Sequence, residues 1–178
     1  MDLITFILLL GAALLISVNL FAIYWYGSIL MTVATGGAPY VPSRHEDIAK
    51  MMELANIQPT DVVVDLGSGD GRLVIAAAKA GAGLSMGYEI HPGLVKLSRS
   101  RIKHLELEQA RIHSESMWNA DLSEVTLVLM YQVPYAMNRL KAKLQSDLPK
   151  GARIVSNAFE FSEWDHEEAI DSVRLYRI

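Results

Sequence analysis

The sequence predicts an α/β fold: an open, mostly parallel sheet with helices on both faces, preceded by one transmembrane helix. Three observations predict it. An uncharged apolar stretch opens the chain. From Asp61 onward, short β-branched runs alternate with helical patterns. Between the first such run and the helix after it lies a loop rich in glycine.

The apolar stretch is Leu3–Tyr26, 24 residues without a charge. A helix needs about 20 such residues to cross a hydrocarbon layer of roughly 30 Å. Thr5 and Ser17 can bond back to the helix backbone, and Asn19 stands near the end. Tyr24, Trp25 and Tyr26 form the aromatic cluster expected at a membrane interface. A cleaved signal peptide would carry a basic start and a shorter apolar core, whereas this chain begins with Asp2. A buried core helix would be expected to keep a polar face. The reading is therefore an anchor over 1–28, a linker over 29–43 containing Gly36-Gly37, Pro39 and Pro42, and a domain over 44–178. No basic residue precedes the span and Arg44 and Lys50 follow it, which places the domain on the cytoplasmic side of a single-pass membrane protein.

Within the domain, Ser43 is positioned to cap a helix over Arg44–Ala55, with Glu46 and Asp47 in its first turn. Strands are expected at Val62–Leu66, Leu84–Ile90, Ala110–His113, Val125–Tyr131, Arg153–Phe159 and Val173–Ile178. Helices are expected at Arg72–Ala80, from Pro92 through Leu105, and from Pro134 to Leu148. Strand–helix alternation implies parallel crossovers and a sheet covered on both faces.

Composition narrows the function. All 16 Lys and Arg and 19 of the 20 acids lie in 44–178, a formal balance of −3. A nucleic-acid enzyme would be expected to show a basic surplus, so no nucleic-acid partner is expected. The absence of cysteine excludes disulfides, thiolate zinc sites and a cysteine nucleophile. The five histidines lack ligand spacing, and no metal is expected. Lys96, Arg99 and Lys103 share one helix face, read as solvated.

The decisive segment is VVVDLGSGDGR, Val62–Arg72. A strand runs into Asp65-Leu66-Gly67-Ser68-Gly69-Asp70-Gly71 and then into a helix. Glycines permit positive φ and let a ligand approach the backbone. In an open parallel sheet such a loop sits at the carboxyl end of the first strand, where ligands bind. NAD-binding loops place a third glycine where this chain has Arg72, and the phosphate-loop pattern is absent. Asp65 suits a cationic amine better than a pyrophosphate. Glu89 follows Asp65 by 24 residues, at the end of the second strand, where a carboxylate can accept both hydroxyls of an adenosine ribose.

This arrangement resembles the Rossmann-like class I methyltransferases that use S-adenosylmethionine and release S-adenosylhomocysteine. The strings PYVPS, DLGSGDGRLVIAAAKAG, GYEIHPGLVKLSR, QVP and GARIVSNAFEFSEW are similar to one subfamily. It comprises the membrane-anchored protein-lysine methyltransferases acting on the mitochondrial ADP/ATP carrier and the ATP synthase c-ring protein. The resemblance implies cofactor contacts at Asp65, Gly67, Ser68, Gly69, Asp70, Gly71, Glu89, Ile90, Ser116, Met117 and Tyr131. Many relatives carry aspartate near the adenine; here Ser116 stands there, beside Glu115, and Ser116 or a backbone group takes that role. The chain stops soon after a sixth strand, so the final hairpin is expected to be shortened or absent.

The acceptor must present a lone pair. A lysine has a reference pKa of about 10.4, so only about one in a thousand is neutral near pH 7.4. Methyl transfer to it depends on alignment and desolvation. The fourth strand ends at Tyr131-Gln132-Val133-Pro134, without the motif of amide and adenine N-methylases. Tyr131 and Asn157 are the candidate catalytic residues lining the acceptor side. A membrane or membrane-proximal protein is the expected substrate. Lipid or small-molecule methylation, on a phospholipid amine or quinone, is the alternative. An inert cofactor-fold scaffold is disfavoured by the intact Asp65/Gly67/Gly69/Glu89 set.

Overall fold

The structure, a computed structural model, describes residues 2–34 and 40–178. Helix α1 spans Leu3–Ala34. Its segment Leu3–Tyr24 is long and apolar enough to cross a membrane; 22 helical residues extend about 33 Å. Its polar side chains are satisfied locally. Ser17 Oγ donates to the Ala13 carbonyl and Asn19 Nδ2 to that of Leu15, each at 2.8 Å. Asp2 Oδ1 accepts from the Thr5 backbone and hydroxyl, both at 2.7 Å, and closes the first turn. The helix continues past Tyr26, so residues 29–34 of the expected linker are helical. The linker's Gly36, Gly37 and Pro39 lie outside the described residues.

Tyr40–Ile178 forms a separate unit. Helix α2 is His45–Ala55. Strands β1 (Val62–Leu66), β2 (Leu84–Tyr88), β3 (Ala110–His113), β4 (Leu127–Met130) and β5 (Arg153–Asn157) alternate with α3 (Arg72–Lys79), α4 (Pro92–His104) and α5 (Pro134–Asp147). Strands β6 (Glu168–Ile170) and β7 (Val173–Arg177) complete the sheet. The strand order is β3-β2-β1-β4-β5-β7-β6. Strands β1 to β5 are parallel, and β7 runs antiparallel to both neighbours. The order reverses between β1 and β4, which opens a crevice at their carboxyl ends.

Both faces of the sheet are covered, as alternation of side chains along each strand requires. Val64, Leu66, Val128, Met130, Ile154 and Tyr176 pack with Met137, Leu140 and Leu144 of α5. Val63, Leu127, Leu129, Val155 and Leu175 pack with Met51 and Leu54 of α2 and Leu73 and Ala77 of α3. A smaller cluster joins Val74 and Ala78 of α3 to Val95 and Ile102 of α4 and Ile112 of β3.

Three expectations are corrected. Arg44, in extended conformation, occupies the N-cap of α2 without a side-chain bond, and Ser43 is buried instead. The final hairpin is present, because Glu168–Ile170 pairs with β7; three residues with polar Glu168 are too short to announce a strand. Arg99 is only partly a solvated residue: its guanidinium donates to the Ile112 carbonyl at 2.7 and 3.1 Å, tying α4 to β3.

Candidate active site

The first strand carries a buried carboxylate, Asp65, to the crevice. After Leu66 the chain must turn sharply, and Gly67, Gly69 and Gly71 adopt φ of +84°, +53° and +79°. The N–H groups of Gly67 and Ser68 both donate to the Tyr88 carbonyl, at 3.0 and 2.9 Å, which ties the loop to the end of β2. Space is as restrictive as conformation. A Cβ on Gly69 would stand 2.7 Å from the Tyr40 ring, and one on Gly67 2.5 Å from the Gln132 amide. Both positions therefore admit only glycine.

Glu89 is one residue beyond β2 and 9% exposed. Its Oε2 accepts from the Gly69 N–H at 2.8 Å and its Oε1 from the His91 N–H at 2.7 Å. A carboxylate offers about four acceptor positions, so each oxygen keeps one for a further donor. Ile90, half-buried, follows it.

Asp65 and Asp70 are separated by environment. Burial first, then the charges of Glu89 and Asp70, push Asp65 up to about 8. Every influence on it disfavours its charged form, so a cation placed beside it would relieve all three. Asp70 goes the other way. Burial would raise it, but hydrogen bonds from Arg72 and Arg101 outweigh that and hold it well below the usual carboxylate range. Arg72 donates to both Asp70 oxygens at 2.9 and 2.8 Å, and Arg101 donates to Oδ2 as well. The Asp70 side chain is thus committed to α3 and α4, and it fixes the loop. Arg72 also donates to the Ser43 carbonyl at 2.5 Å and the Tyr40 hydroxyl at 3.2 Å, drawing the segment before α2 over Gly69.

Ser116 caps a single 3-10 turn, Met117–Asn119, accepting from the Trp118 N–H at 3.4 Å. Met117 is buried, its sulfur 3.9 Å from where a Gly67 Cβ would lie. Ser68 Oγ is a buried polar atom without a hydrogen-bond partner, as is His113 Nε2, whose ring stacks on Tyr88 at 4.8 Å. The loop of β1, the end of β2 and the turn after β3 therefore converge at one edge of the sheet.

The ends of β4 and β5 adjoin them. Gln132, buried, donates from Nε2 to the Leu66 carbonyl at 2.5 Å, joining the two sides of the crevice. The Tyr131 ring lies near-parallel to that of Phe159, at 11° and 6.4 Å between centroids. Asn157 is 2% exposed, and its Oδ1 accepts from the Ser172 hydroxyl at 3.3 Å. Sequence reasoning did not single out Tyr40, Gln132 or Phe159. Tyr40 and Gln132 lie inside the quoted strings PYVPS and QVP, and Phe159 inside SNAFEF. No spacing rule marks any of them.

The strand order, the glycine loop against Glu89 and the uncompensated buried Asp65 define a class I methyltransferase using S-adenosylmethionine. The chain belongs to the family of the ANTKMT methyltransferase domain, whose model matches residues 65–168. It is 37% identical over 143 residues to the lysine N-methyltransferase of the ATP synthase c-ring protein from Xenopus laevis, covering 78% of this chain and 62% of that protein. It is 35% identical over 134 residues to a protein-lysine N-methyltransferase of Saccharolobus islandicus (strain REY15A), covering 74% and 83%. Among solved structures, an RNA methyltransferase from Salinibacter ruber in complex with S-adenosyl-L-homocysteine superposes with a TM-score of 0.71 at 35% identity, over 77% of this chain and 92% of that one. The chain spans less than two thirds of the length of the Xenopus relative.

Proposed function

We propose that the chain is a single-pass membrane protein whose cytoplasmic domain methylates a lysine side chain of a membrane or membrane-proximal protein. The observation that carries this reading is the likeness to two lysine N-methyltransferases, from a vertebrate and an archaeon. The apolar helix α1 supports a location at the bilayer.

In this reading Glu89 accepts the two ribose hydroxyls, Asp65 faces the cationic amine of the cofactor, and the Gly67–Gly71 loop carries its aminoacyl part. Ile90, Ser116 and Met117 border the adenine. When bound, the cofactor supplies a methyl carbon on a sulfonium: the amine lone pair bonds to that carbon, the carbon–sulfur pair leaves on sulfur, and the amine proton goes to solvent. The residues of the chain do little covalent chemistry. Tyr131 lines the acceptor side, excludes water and so favours the neutral amine.

A second reading follows from the Salinibacter structure, described as an RNA methyltransferase. The acidic balance of residues 44–178 argues against it. Incubating the full chain with membranes and S-adenosylmethionine tritiated at the methyl group separates the readings. Label is expected in protease-sensitive material. Label in the organic extract would indicate a lipid or quinone acceptor, and label sensitive to ribonuclease would indicate RNA.

A further inference from the structure

The segment after β5 turns in an unusual way. The Phe159 N–H donates to the Asn157 carbonyl two residues back, at 2.9 Å, and Ala158 between them has φ +70°. That is a γ-turn of the rare positive-φ hand. Ala158 is not glycine and is exposed, so neither chain flexibility nor packing of its methyl group accounts for the conformation. Such a residue persists only where its surroundings over-determine it.

Here they do, through four bonds from three directions. The Ala158 N–H donates to the Ser172 carbonyl at 2.9 Å. The Ser172 hydroxyl donates to Asn157 Oδ1 at 3.3 Å, and the buried Ser156 hydroxyl donates to the Phe159 carbonyl at 2.9 Å. With the turn's own bond, β5 and the β6–β7 hairpin hold Asn157, Ala158 and Phe159 from both sides. The outcome is the placement of one ring. Phe159, half-buried, faces Tyr131 at an interplanar angle of 11°, where β4 and β5 end beside the cofactor loop.

We propose that the Asn157-Ala158-Phe159 γ-turn is a positioning device for the methyl acceptor, holding Phe159 against Tyr131 so that the two rings form the wall along which the acceptor's aliphatic stem lies. The proposal rests on the reading of an alkylamine acceptor. It reassigns Asn157: with its amide oxygen held by Ser172, Asn157 acts through the turn, and Phe159 touches substrate. The wall belongs to the acceptor and not to the cofactor. Changes in it should therefore move the acceptor KM and leave cofactor affinity alone.

The test uses the full chain in detergent, tritiated S-adenosylmethionine and a concentration series of detergent-solubilised membrane protein as acceptor. Phe159→Leu keeps apolar bulk and removes the ring; the acceptor KM is expected to rise on the order of fivefold or more. Binding of S-adenosylhomocysteine, measured by calorimetry, should stay within about twofold, and Phe159→Tyr should restore the KM. Ala158→Gly relaxes the turn at an exposed site, so it tests the idea even if Phe159→Leu folds poorly. It should raise the acceptor KM about two- to threefold without lowering the melting temperature. An unchanged acceptor KM in a folded Phe159→Leu, or an equal loss of cofactor affinity, would overturn the proposal and leave the lysine reading intact. If the unaltered protein puts no label into protein, the lysine reading fails and the wall fails with it.

Discussion

The Gly69 N–H donates to Oε2 of Glu89 at 2.8 Å, so the carboxylate that faces the ribose also holds the glycine loop. Cofactor recognition and loop geometry are one unit. Glu89→Ala would leave the N–H groups of Gly69 and His91 without their acceptor. It should weaken S-adenosylhomocysteine binding by roughly 10- to 100-fold, from about 1–3 kcal/mol of charge-assisted bonding. It should also lower the melting temperature of the cofactor-free protein by on the order of 5 °C. Glu89→Gln retains one acceptor oxygen and should lose less in melting than in binding. Calorimetry and thermal melting on the same samples check both.

Asp65 predicts a pH dependence. Its folded value, about 8, lies above the ordinary 3.8. Between those values the cofactor-free folded protein keeps a proton that the unfolded chain releases. Stability is therefore greatest in this respect below 3.8 and declines as pH rises toward 8. Asp65→Asn should flatten that decline and melt higher than the unaltered protein at pH 8.

A cationic amine arriving beside Asp65 should drive its proton off. Cofactor binding near pH 7 should then release a proton, seen as a binding enthalpy that depends on the ionisation enthalpy of the buffer. Buffer-independent enthalpy would separate Asp65 from the amine.

Asp70 predicts the opposite pH limb. Its folded value is depressed, so its contribution is present above 3.8 and is lost as pH falls through the folded value. Arg72→Ala removes donors to Asp70, Ser43 and Tyr40 together. A cost of roughly 1–3 kcal/mol in denaturant unfolding is expected, together with looser cofactor binding as Tyr40 leaves Gly69.

The sequence made the parallel sheet legible because β-branched runs and a glycine loop repeat the local signals that crossovers need. Asp65, the glycines and Glu89 were legible by spacing alone. Asp70 was legible as a loop residue but not as an ion-pair partner, because Arg101 reaches it from α4, across 31 positions of chain. Phe159 was hidden for a related reason. Its placement depends on Ser172, which pairs with β5 only once the hairpin has formed. Strand β6, three residues long, carries no periodicity from which to read it.

The central claim, transfer of a methyl group to a protein lysine, is tested most directly by finding where the methyl group goes. Membranes labelled with tritiated S-adenosylmethionine and the purified chain would be hydrolysed and their amino acids separated. The expected result is label co-eluting with methylated lysine, strongly reduced in Glu89→Ala. Label confined to lipid, to RNA or to amino acids other than lysine would contradict it.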